Sequence, residues 1–107
     1  EKEAAKVIAA TDAYNASISS LATTYGLALV DANAKMKELG TTSGIQYNGV
    51  KYTASFITGG TFSLDGVHPN GRGYAIIANT FIKAINNTYF STLPFVDINA
   101  YSGVTFP

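Results

Sequence analysis

Asp65 and His68 are the residues of this chain whose types and spacing could do chemistry. His68 is the single histidine among 107 residues, and it stands three positions after Asp65 in the stretch Phe-Ser-Leu-Asp-Gly-Val-His-Pro-Asn-Gly-Arg-Gly-Tyr, residues 62 to 74. A carboxylate that accepts the Nδ1 proton of an imidazole holds the ring in the tautomer that leaves Nε2 free as a base. It also stabilises the imidazolium that forms when the base takes a proton. Gly66 lets the chain bend between the two side chains, and Pro69 stiffens the exit. Such a pair is the base half of a hydrolytic triad and calls for a nucleophile. The plainer reading is that Asp65 caps a turn while His68 makes an ordinary hydrogen bond near a helix start, because a four-residue pattern with two free positions says little by itself.

The elements that must position this pair follow from periodicity. Val7, Thr11, Tyr14, Ile18, Leu21 and Tyr25 recur at intervals of three and four, which predicts a helix from Glu3 to Thr24 that Gly26 closes. Leu27 to Val30 is a short continuous apolar run of the kind expected of a strand covered on both faces. Asp31 or Asn33 can cap a second, shorter helix through Lys35, Met36 and Leu39, ended by Gly40. From Ile45 to Ile57 the pattern alternates. Ile45, Tyr47, Val50 and Tyr52 would share one face of a hairpin turned by Asn48-Gly49, with Gln46 and Lys51 on the other. Gly59-Gly60 breaks that run. Beyond the Asp65–His68 turn, Asn70 can cap a long helix marked by Tyr74, Ile77, Ala78, Phe81, Ile82, Ile85 and Tyr89. The tail from Ser91 to Pro107, with Leu93, Phe95, Val96, Tyr101 and Phe106, is expected as an irregular segment packed over the body.

Composition narrows the classes of function. With 47% hydrophobic residues the chain can build one small core, so a single domain over residues 1–107 is expected. Seven basic and seven acidic residues balance, and the basic ones are scattered, so nucleic acid is not an expected partner. Cysteine is absent, which rules out disulfides and cysteine-based zinc sites. A metal centre would need more ligands than Asp65 and His68. No apolar run is long enough for a membrane span. Tyr47, Tyr52, Tyr89 and Tyr101 could form a sugar-stacking surface or serve as core and rim residues. Arg72 could meet an anionic group or stay paired or solvated.

The stretch from Gly59 to Ala84 resembles the C-terminal block of the SGNH, or GDSL, family of serine ester hydrolases. There an aspartate and a histidine three residues later stand just before the final helix, as Asp65-Gly66-Val67-His68-Pro69-Asn70 does here, followed by Gly73-Tyr74 and an alanine-rich apolar helix. The wording is most similar to GDSL-like lipoproteins of the Bacteroidetes type. The resemblance implies that His68 is the general base and Asp65 its orienting partner. It also implies a nucleophilic serine in a Gly-Asp-Ser block and oxyanion donors from two further blocks, and this chain has none of these. Ser17, Ser19, Ser20, Ser43, Ser55, Ser63, Ser91 and Ser102 all lack a Gly-Asp-Ser or Gly-x-Ser-x-Gly setting.

Only one segment suits the middle of a parallel sheet, and the chain starts inside a helix without methionine. The expectation is therefore the C-terminal part of a three-layer α/β/α (flavodoxin-like, SGNH) sandwich with an inserted β-hairpin, the rest of the natural protein lying upstream. The expected partners are an ester substrate, small or glycan-linked, and the missing N-terminal half of the domain or a second copy. No cofactor is implied. The family implies a secreted, periplasmic or lipoprotein-anchored location, which the residues themselves leave open. A non-catalytic carbohydrate-binding or interaction module that reuses the half-fold is the alternative.

Overall fold

The computed structural model describes residues 2–104, so Phe106 of the tail lies outside the described residues. Three helices, α1 (Lys2–Tyr25), α2 (Ala32–Leu39) and α3 (Gly71–Tyr89), flank a hairpin of β1 (Ile45–Tyr47) and β2 (Val50–Tyr52), and a 3-10 turn follows at Ile98–Ala100. The three-layer α/β/α sandwich is therefore not what these residues form. Among the described residues the only sheet is the two-stranded antiparallel hairpin, and Leu27–Val30 is not a strand. A strand exists only with a partner to complete its ladder, and among the described residues no segment pairs with this one. Its Ala28 N–H instead donates to the Tyr89 hydroxyl at 3.1 Å.

Local chemistry explains most boundaries. At the end of α1, Gly26 adopts φ +62°. The Gly26 and Leu27 N–H groups turn back to the carbonyls of Thr23 and Ala22, a paired cap that satisfies two terminal acceptors. Asp31 caps α2 by accepting the Ala34 N–H at 2.8 Å. In the hairpin, Asn48 and Gly49 take φ +46° and +78°, the turn whose twist matches that of paired strands. Register places Ile45 opposite Tyr52 and Tyr47 opposite Val50, on one face. The extended run ends at Tyr52 rather than Ile57, because the chain turns away there and the Ala54 N–H bonds the Leu39 carbonyl at 2.8 Å.

The core draws on Leu39, Tyr52, Ala75, Ile76 and Ile98, with Ile45, Tyr47 and Val96 packed against it. It thus joins α2, the hairpin, α3 and the 3-10 turn. Helix α3 enters this core through Ala75 and Ile76, while Tyr74, Phe81 and Tyr89 on its other side stay exposed. Of these, Phe81 lines an open groove of about 380 Å³ with Ile18, Leu21, Leu27, Leu29 and Val30. Helix α1 buries only Ala22.

The tail is held in place by two asparagines of α3. Asn79 donates to the Val96 carbonyl at 2.9 Å and accepts the Val96 N–H at 2.8 Å. Asn86 treats Leu93 in the same way, at 2.9 Å in each direction. Seven residues along a helix span roughly 10 Å, and three residues of extended chain span about the same, so the two side-chain amides match the tail's backbone as a neighbouring strand would.

Candidate functional site

The Asp65–His68 turn is a small closed loop. Its neck is an antiparallel bridge between Phe62 and Pro69, with the Ser63 N–H donating to the His68 carbonyl at 2.8 Å and the Asn70 N–H to the Thr61 carbonyl at 2.9 Å. Inside the neck the Gly66 N–H closes a tight turn on the Ser63 carbonyl at 3.0 Å. Gly66 itself takes φ +70°, a conformation that disfavours other residues.

Asn70 ties this loop to α3. Its side-chain oxygen caps the helix by accepting the N–H groups of Arg72 at 3.0 Å and Gly73 at 3.1 Å. Its amide nitrogen donates to the carbonyls of Gly60 at 3.1 Å and Phe62 at 3.2 Å. Gly73 lets the helix start lie directly on the strand-like chain beneath it, since a Cβ there would stand 2.2 Å from the Thr61 carbonyl oxygen. The site is thus mounted on the part of the molecule that contains the core.

The pair meets as the spacing predicts. Asp65 Oδ2 lies 2.6 Å from His68 Nδ1. Oδ1 accepts three further donors: the Ser63 hydroxyl at 2.5 Å, the Val67 N–H at 2.9 Å and the His68 N–H at 3.0 Å. The Ser63 hydroxyl, then His68, then the two N–H groups hold the Asp65 carboxyl well below the usual carboxylate range. It is therefore an anion wherever His68 could act as a base. The His68 side chain is 73% exposed, and among the described residues Nε2 has no hydrogen-bond partner. The arrangement fixes the ring through Nδ1 and leaves Nε2 open to accept a proton.

Ser63 is the residue that sequence reasoning passed over. It lies beside the pair, but its hydroxyl faces the Asp65 carboxylate rather than Nε2, so it orients the acid and is not placed as a nucleophile. The signal for it was the Ser-x-Asp spacing, which lets a hydroxyl reach the side chain two residues on. Large apolar side chains also stand in solvent here: Leu64, Val67 and, on the loop after the hairpin, Phe56.

The other candidates disperse. Arg72 Nε donates to the Tyr101 carbonyl at 2.9 Å, which pins the tail rather than a ligand. Tyr52 is buried, its hydroxyl bonded to the Asn99 side-chain oxygen, and burial pushes its phenol up. A four-tyrosine sugar platform is therefore not assembled. Among the described residues no group of three or more metal-ligating side chains converges, and no helix is long and apolar enough to cross a membrane. Compared with family models, curated proteins and solved structures, the chain matches none.

Proposed function

We propose that this chain supplies the aspartate and histidine of a Ser-His-Asp triad in an ester hydrolase of the SGNH kind. The observation that carries the reading is the Asp65 Oδ2 to His68 Nδ1 contact of 2.6 Å on an exposed ring. Asp65 keeps the imidazole in the tautomer with its proton on Nδ1. His68 Nε2 takes the hydroxyl proton of a serine as the serine oxygen bonds to the acyl carbon, and it returns that proton to the alcohol as the ester C–O bond breaks. Water then attacks the acyl-serine with the same base, and the carboxylic acid leaves. The chemistry requires no cofactor.

The serine and the oxyanion donors come from outside these 107 residues under this reading, from an upstream segment of the same domain. The 107 residues alone are expected to hydrolyse p-nitrophenyl acetate no faster than free imidazole. In the protein that carries the serine, His68→Ala is expected to lower kcat about four orders of magnitude, and Asp65→Asn by a similar factor through the wrong tautomer. Hydrolysis that continues at the same rate after His68→Ala would overturn the assignment.

A further inference from the structure

Three non-glycine residues of the described chain hold positive φ, and two have local reasons. Asn48, at +46°, forms the hairpin turn, and Phe90, at +54°, ends α3. Ile57, at +67°, has none of the usual ones. A β-branched side chain in the left-handed region is strained, and such strain gathers at sites of function. Around it the Thr58 N–H bonds the Phe56 carbonyl at 2.7 Å, which makes a three-residue turn centred on Ile57 in its rarer, strained form.

The base of this loop is tightly built. The Thr53 N–H donates to the Gly59 carbonyl and the Gly59 N–H to the Ser55 carbonyl, each at 2.9 Å. The buried Thr61 hydroxyl donates to the Thr53 carbonyl at 2.6 Å. A Cβ on Gly59 would stand 2.2 Å from the Thr53 carbonyl oxygen, so the neck has no room for a side chain. A rigid neck with a strained tip presents one residue in a set direction, and that residue is Phe56.

Phe56 is not used to fill the core. It is 57% exposed, and its ring lies across Gly66, where an added Cβ would come within 3.2 Å of Phe56 Cδ2. Gly66 stands between Asp65 and His68, so an aromatic face is held against the middle of the turn that carries the pair. We infer that Phe56 is a specificity-determining residue: its ring forms the wall along which the apolar arm of an ester substrate lies while the ester group meets His68. This rests on the hydrolytic reading above and adds to it a preference for esters with a hydrocarbon arm over those with little or none. The arm is on either the acyl or the alcohol side, since both flank the same reacting carbon.

The test uses the protein that carries this chain with its serine, and two substrate pairs. One compares p-nitrophenyl octanoate with p-nitrophenyl acetate, the other octyl acetate with ethyl acetate. Phe56→Ala is expected to lower the long-to-short ratio of kcat/KM about tenfold in one pair, and Phe56→Leu to recover part of it, as a loss of apolar contact predicts. The pair that responds identifies the side of the ester that Phe56 meets. His68-dependent hydrolysis with both ratios unchanged in Phe56→Ala overturns this assignment alone. Absence of any His68-dependent hydrolysis overturns the triad reading, and this assignment with it.

Discussion

Helices α1 and α3 have similar apolar spacing and both leave much of that stripe in solvent, Tyr74, Phe81 and Tyr89 in α3 included. Yet α3 reaches the core through residues off the stripe and α1 does not. Helix α3 sends Ala75 and Ile76 into the core, and its Asn79 and Asn86 reach the tail. In α1 the side chains turn back on the helix itself. The hydroxyls of Thr11, Ser17, Thr23 and Thr24 each bond the carbonyl four residues earlier, and Val7, Tyr14, Ile18, Leu21 and Tyr25 are exposed. A helical stripe therefore says that one side of a helix is apolar and nothing about what covers it. Because helices in water depend mainly on packing of that side, the two should differ in how much each residue contributes to stability.

Substitutions can break or sharpen this contrast. The largest effect is expected at Tyr52, fully buried and bonded to Asn99. Tyr52→Ala should lower stability by about 3–5 kcal/mol in urea denaturation, through a cavity and an unpaired amide. A loss below about 1 kcal/mol would mean that the hairpin does not anchor the core. Next comes Gly73→Ala, where overpacking against Thr61 and Pro69 should cost about 1–3 kcal/mol by the same measurement.

A more local effect follows from pH. The folded Asp65 carboxyl titrates below its unfolded range, so its contribution is fully present above roughly pH 4 and fades as pH falls through the lower folded value. Amide signals of Val67 and His68 in an NMR acid titration should hold to below that range. Their shifting at the ordinary carboxylate pKa would contradict the four-donor cradle. Smallest of all, Ile18→Ser on the exposed stripe of α1 should change stability by less than about 0.5 kcal/mol. A loss as large as that of Tyr52→Ala, or a lower mass by size exclusion, would show that the α1 side is covered in solution and would end the contrast.

The part of the site that depends on near neighbours was legible beforehand. The three-residue gap between Asp65 and His68, the Gly66 bend and the Asn70 cap all act within a few residues, so their geometry follows from the residue types. The same holds for the Gly26 cap and the Asn48-Gly49 turn. Ser63 was legible in principle, two positions from its acceptor, since a Ser-x-Asp spacing marks a carboxylate donor as well as it fails to mark a nucleophile.

What only the tertiary structure decided involves partners far along the chain. Leu27–Val30 has the residues of a buried strand, yet a strand is a relation between segments, and with no ladder partner among the described residues this one takes an Ala28–Tyr89 bond instead. The tail's place depends on two asparagines spaced to match it, and Tyr52 became core rather than binding surface because Asn99 and the α3 helix closed over it. Phe56, next to the strained turn at Ile57, lies against Gly66 beside the pair, a contact across ten residues that spacing does not announce. Residue types and close spacing determine caps, turns and a two-residue acid–base unit; burial, strand pairing and contacts made across many residues do not exist until the chain has folded.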